Sequence, residues 1–172
     1  AQELPVIDAT CPHVSRAQKA AAKLAGECGF VVVVGEAGHP EVEGLGAYAQ
    51  EAGGSVCVAE CGADLPDDLP EHVGVVVQTT QTRDALEDVL AGLAARGVEA
   101  KVKDTVSTAT RQRQQAAAKL AGEVDAIVVI GGRNSANTTH LAEICAAECP
   151  RTHHVESAAE LDPAWFADCE TV

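Results

Sequence analysis

Five short stretches of this 172-residue sequence carry residue types that can do chemistry, and each lies where a strand-like run gives way to a helix-like one. In Asp8-Ala9-Thr10-Cys11-Pro12 a thiol stands just before a helix that the pattern starts near Val14. The positive end of a helix favours a thiolate there, although cysteine is also a habitual small buried residue. In Gly38-His39-Pro40-Glu41-Val42-Glu43-Gly44 an imidazole and a carboxylate sit together at a helix entry. His39 can give a proton or a hydrogen bond and Glu41 can relay one. The same residues also suit a capped helix start with Pro40 in the first turn. Gln78-Thr79-Thr80-Gln81-Thr82 offers two hydroxyls that can bind a substrate alcohol, orient a proton donor, or simply cap a helix. Asp104-Thr105-Val106-Ser107 is a fourth strand-end loop.

The fifth, Gly131-Gly132-Arg133-Asn134-Ser135-Ala136-Asn137-Thr138-Thr139, combines backbone freedom with hydroxyl and amide side chains, a neutral cradle for an anion. It has neither the Gly-Lys-Ser/Thr ending of a nucleotide-binding loop nor a Gly-x-Gly-x-x-Gly run. The expected ligand is phosphate-sized rather than a dinucleotide. Of the seven cysteines, Cys28, Cys57, Cys61, Cys145 and Cys149 read as structural, and Cys169 is uninformative. Their odd number and scatter do not resemble a secreted disulfide framework, which points to a reducing cytosol.

The net charge of -14, from 26 acidic and 12 basic residues, argues against nucleic acid and anionic membranes as partners. No apolar run approaches the roughly 20 residues that span a bilayer, and no signal-peptide pattern opens the chain. With 47% hydrophobic residues, the chain is long enough to bury a core. The chain has no methionine and breaks off at Cys169-Glu170-Thr171-Val172, where a further strand would start, so a fragment cut at both ends is expected.

Strand-like runs at 31–34, 55–59, 73–77, 101–104 and 126–130 alternate with helix-like segments at 15–27, 83–96, 113–122 and 138–147. That alternation predicts crossovers and a mostly parallel sheet, and near-continuous valine runs predict strands buried on both faces. The sequence also repeats. At a shift of 96 residues Asp8 falls on Asp104, the run 20–27 recurs identically at 116–123, and Val32, Val33 and Gly35 fall on Val128, Val129 and Gly131. The fold class is therefore α/β, two tandem lobes, 1–98 and 99–172, each a small sheet flanked by helices. The same shift places Cys11 opposite Ser107 and His39 opposite Ser135. Strand-end loops converge on one edge of a parallel sheet, where ligands usually bind.

In their order and approximate spacing these loops resemble the 4-hydroxy-3-methylbut-2-enyl diphosphate reductase family, the last step of the non-mevalonate isoprenoid pathway. The Gly-His-Pro-Glu-Val-Glu-Gly run is the most specific of the shared motifs, and the others are the loops around Cys11, Thr79, Ser107 and Asn137. The resemblance implies a three-lobed trefoil around a [4Fe–4S] cluster that delivers two electrons to remove an allylic hydroxyl as water. It implies an allylic diphosphate substrate and an electron donor such as ferredoxin or flavodoxin. By the same resemblance Cys11 is a cluster ligand of the middle lobe. His39, Ser135 and Asn137 hold the diphosphate, Glu41 supplies protons, and Thr79 and Thr80 support that relay.

Two positions depart from the family pattern. The expected third-lobe cysteine is Ser107, and one expected serine is Ala136. A first lobe would precede Ala1, and a closing serine-bearing loop would follow Val172. Iron–sulfur clusters are held by thiolates, so a labile or absent cluster is expected in this chain, and no turnover from the chain on its own. The competing reading is a non-catalytic relative that binds an anionic metabolite or a partner without a cluster.

Overall fold

The computed structural model describes residues 7–172, which form two compact units. The first takes the described residues to Thr79 together with Arg83–Thr105, and the second takes Thr80–Thr82 and Val106–Val172. Among the described residues no helix is long and apolar enough to cross a membrane.

The first unit is built on a four-stranded all-parallel sheet ordered β2-β1-β3-β4. The strands are β1 (Phe30–Val34), β2 (Ser55–Ala59), β3 (His72–Val77) and β4 (Glu99–Lys103). Helices α1 (Pro12–Cys28) and α2 (Pro40–Glu51) pack together over one face, and α3 (Arg83–Ala95) packs on β1 and β4. Strand side chains alternate between faces. Val31, Val33 and Val76 therefore meet Ala17, Ala21, Leu24, Leu45 and Ala49 of α1 and α2. Val32 and Val34 point the other way and are equally buried, as expected for strands covered on both faces. The helix–sheet approach is close: a Cβ on Gly74 of β3 would lie 2.7 Å from the Leu24 Cβ. Burying Leu24 and Leu45 completely contributes roughly 1.5–3 kcal/mol each.

The second unit pairs β5 (Ile127–Ile130) with β6 (Thr152–Val155), flanked by α4 (Thr108–Ala121) and α5 (Ala136–Glu148). Its small core joins Ala121, Ile127, Cys145 and Cys149. The internal repeat extends into the strand register: Val31 pairs with Val56 in β1–β2, and Ile127 pairs with Thr152 in β5–β6, each pair displaced by the same 96 residues.

Three helices start earlier than the composition predicts, at Pro12, Thr108 and Ala136. The Ala/Leu/Lys runs mark helix interiors, whereas Cys11, Ser107 and Ser135 occupy the N-cap positions. β4 begins at Glu99 and is largely exposed, because it is an edge strand. It pairs with β3 in the first sheet, and the division between the units falls after Thr105 rather than near residue 98. β6 escapes the sequence reading because Thr-His-His-Val has no apolar run. No strand forms at residues 169–172. Instead the Thr171 carbonyl accepts the Asp125 and Ala126 N–H groups at 3.2 and 3.3 Å.

Candidate functional site

In the first unit the strand-end loops bring His39, Glu41 and Thr79 together. His39 is the N-cap of α2, and its Nδ1 accepts the Glu41 N–H at 3.1 Å. A ring nitrogen that accepts cannot carry the proton, so the neutral imidazole is protonated on Nε2 and presents that N–H as a donor. Pro40 at the first helical position and Glu41 and Glu43 in the first turn suit the helix start. The capping and chemical readings of this motif are therefore compatible.

Glu41 reaches across to the end of β3. Its Oε1 accepts the Thr79 N–H at 2.7 Å and its Oε2 accepts the Thr79 hydroxyl at 2.9 Å. Thr79 is buried and lies four residues ahead of α3, so it is not a helix cap. Beside it, the fully buried Gln78 offers Oε1 to the Glu36 N–H at 2.9 Å. A Cβ on Gly35 would stand 2.6 Å from that oxygen, so a glycine is required where the β1 loop passes over Gln78.

Cys11 is exposed, unbridged, and caps α1 without a hydrogen bond from its side chain. Its thiol is uncommitted. Upstream, the hydroxyl and N–H of Thr10 hold the Asp8 carboxyl below its ordinary range. The other cysteines differ: burial pushes the Cys57 thiol up to about 11, and Cys145 and Cys149 lie in the core of the second unit.

In the second unit Ser107 caps α4, at the position that Cys11 holds on α1. Its hydroxyl is buried, accepts the Thr110 N–H at 3.0 Å and lies 2.8 Å from the Thr110 hydroxyl. Ser135 caps α5, with its Oγ accepting the Thr138 hydroxyl at 3.1 Å and the Thr138 N–H at 3.4 Å. Two residues further, in the first turn of α5, Asn137 buries its Oδ1 without a hydrogen-bond partner. Thr80 groups with this second unit, and its carbonyl accepts the Nδ1–H of His140 on α5 at 3.0 Å. Gln114 of α4 donates to the Gln81 carbonyl at 3.2 Å. Gln78 stands in a strand-end loop that the sequence marks, but its role, like those of Gln114 and His140, is not legible there. Their partners lie 42, 33 and 60 residues away, so no local pattern announces them.

Iron–sulfur clusters are held by thiolates, and the cap positions of α1 and α4 differ in what they offer one. Cys11 offers one uncommitted thiol, while the Ser107 hydroxyl is tied into its own helix cap. Among the described residues no three His, Cys, Asp or Glu side chains gather as a metal-binding group.

Comparison with known proteins agrees with the family resemblance. The curated 4-hydroxy-3-methylbut-2-enyl diphosphate reductase of Citrifermentans bemidjiense is 50% identical over 171 residues, covering 98% of this chain and 59% of its own length. Its counterpart from Pelobacter propionicus is 47% identical over 174 residues, covering 99% and 60%. The chain thus spans about three fifths of the relatives it matches. A solved structure of (E)-4-hydroxy-3-methyl-but-2-enyl diphosphate reductase, described as the terminal enzyme of the non-mevalonate pathway, is 43% identical. It superposes with a TM-score of 0.61 over 95% of this chain and 59% of that one. The Plasmodium falciparum E-1-hydroxy-2-methyl-but-2-enyl-4-diphosphate reductase shares the fold, with a TM-score of 0.80 at 23% identity over 95% of this chain and 52% of its own. The LytB protein family matches residues 1–172, the whole of the chain, and the chain belongs to that family.

Proposed function

We propose that this chain supplies the proton-donating and diphosphate-holding residues of a 4-hydroxy-3-methylbut-2-enyl diphosphate reductase. The observation that carries the reading is the Glu41 carboxylate held on both oxygens by Thr79, beside the His39 ring that caps the same helix. A hydroxyl is both donor and acceptor, so Thr79 can pass a proton to or from Glu41 while its N–H keeps the carboxylate in place. Thr80 follows it in sequence and, by the family resemblance, supports the same relay.

His39 contributes its Nε2–H to a phosphate oxygen. Ser135 and the buried amide of Asn137 contribute donors at the start of α5, where the helix end favours an anion. These donors suit an allylic diphosphate in a chain whose overall charge would otherwise repel one. The overall reaction consumes two electrons and two protons. One proton leaves with the allylic hydroxyl as water, the other is added to carbon, and isopentenyl or dimethylallyl diphosphate results. The electrons come from an external carrier of ferredoxin or flavodoxin type.

The family resemblance implies a [4Fe–4S] group held through three thiolates, and of these this chain supplies Cys11 alone. No redox step is therefore assigned to its residues, and the 172-residue chain by itself is expected to give no turnover. One observation favours a second reading, a relative that binds a diphosphate without reducing it: the buried Ser107 hydroxyl is occupied by Thr110. Anaerobic iron and sulfide analysis of a longer protein carrying this chain separates the two. About four irons per chain support the reductase, and none leaves diphosphate binding alone. Calorimetric titration with the substrate tests what both readings share, and absence of binding refutes both.

A further inference from the structure

We propose that Glu60 and Glu156 are positioning residues that set the turns carrying His39 and Ser135, an inference that rests on the diphosphate reading above. The two glutamates are 96 residues apart and occupy one corner of the repeat, just past the ends of β2 and β6. In the first unit Glu60 Oε1 accepts the Ala37 N–H at 3.0 Å, two residues before His39. In the second, Glu156 Oε1 accepts the Arg133 N–H at 2.7 Å, two residues before Ser135.

Each glutamate is itself held by a second acid. Asp64 Oδ2 accepts the Glu60 and Cys61 N–H groups at 2.9 and 3.0 Å. Glu160 Oε1 accepts the Glu156 and Ser157 N–H groups at 3.0 and 3.2 Å. Those bonds hold both acids below the usual carboxylate range, with Arg133 adding to the effect at Glu160. The turns close in the same way in both units, the His39 N–H donating to the Glu36 carbonyl at 3.2 Å and the Ser135 N–H to the Gly132 carbonyl at 3.0 Å.

The recurrence separates positioning from incidental contact. The aligned residues Ala37 and Arg133 have unrelated side chains, yet the glutamate-to-amide bond is kept in both units. Both bonds are exposed. Water can replace an acceptor at an exposed N–H with little loss of global stability. What the carboxylate adds is a single geometry for a turn that contains Gly38 at φ +79 in one unit and Gly131-Gly132 in the other.

The test is amide hydrogen exchange on the 172-residue chain, together with calorimetric titration of inorganic pyrophosphate. Glu60→Leu is expected to speed exchange at Ala37 about tenfold or more, the loss due to a charge-assisted bond. Glu60→Gln keeps an acceptor and restores most of the protection. Glu156→Leu does the same at Arg133. Pyrophosphate affinity falls about tenfold in each leucine variant and recovers in the glutamine variant. Unchanged exchange at Ala37 and Arg133, or lost protection with pyrophosphate affinity unaltered, overturns the proposal. If the unmodified chain fails to bind pyrophosphate while the leucine variants still lose protection, the diphosphate reading falls and the positioning of the turns is supported.

Discussion

Replacing either member of the Glu41–Thr79 pair separates its structural part from its chemical part. Thr79→Val keeps the shape of a buried side chain but removes the hydroxyl that donates to Glu41 Oε2 at 2.9 Å. A hydrogen bond to a charged acceptor contributes about 1.5–3 kcal/mol. The retained N–H bond at 2.7 Å keeps Oε1 satisfied, so the loss is expected near 2 kcal/mol. For a chain of this length that lowers the melting temperature by about 4–8 °C. Glu41→Gln behaves differently. Its carboxamide oxygen still accepts the Thr79 N–H, and its amide N–H can donate to the Thr79 hydroxyl, which turns round to accept. Stability then stays within about 1 kcal/mol of the parent. The proton is lost, however, so turnover in a longer protein carrying the chain falls about 10²–10⁴-fold with substrate affinity retained. Thermal unfolding and steady-state kinetics on both single variants and the double variant supply a complete cycle. A Thr79→Val protein as stable as the parent refutes the assigned hydrogen bond, and a Glu41→Gln enzyme with undiminished kcat refutes the proton role.

Ser107→Cys exchanges a capping hydroxyl for a thiol and is expected to lose about 1 kcal/mol of stability. In a longer protein carrying the chain, the same variant should raise the anaerobic iron content, checked by iron and sulfide analysis. Gly35→Ala places a methyl 2.6 Å from Gln78 Oε1 and from Val42 Cγ2, an overpacking expected to cost about 1–3 kcal/mol by urea denaturation. The Asp125 carboxyl is held low by the Thr171 and Glu170 N–H groups and the Thr171 hydroxyl. Its contribution is therefore complete above the unfolded carboxyl value of about 3.9 and is lost as pH falls through the lower folded value. Protection of the Glu170 and Thr171 amides, taken relative to their intrinsic exchange rates, should fall only below about pH 4, and Asp125→Asn should abolish that dependence.

The repeat was legible because identical helix residues and a shared Asp-to-Gly spacing survive in both copies, and the register of β1–β2 against β5–β6 bears it out. The valine runs announced β1 and β3 because strands buried on both faces need no polar alternation. Two of the edge strands gave weaker signals. The residues of β4 are mostly charged, and β6 carries two histidines. At the site, the pairing of His39 with Glu41 was readable from adjacency. The reach of Glu41 to Thr79 spans 38 residues and depends on β1 and β3 being neighbours in the sheet. The same holds for Gln78, Glu60 and Glu156: each acts on a backbone N–H, which any residue type supplies, so the sequence marks the acceptor but not its partner.

The claim that Glu41 supplies a proton for reductive loss of an allylic hydroxyl is tested most directly by anaerobic turnover. A longer protein carrying this chain is given 4-hydroxy-3-methylbut-2-enyl diphosphate and a low-potential electron donor, beside its Glu41→Gln variant. The expected result is isopentenyl and dimethylallyl diphosphate from the parent, and at least a hundredfold less from a variant that still binds substrate. Substrate binding by an iron-loaded parent that yields neither product contradicts the account.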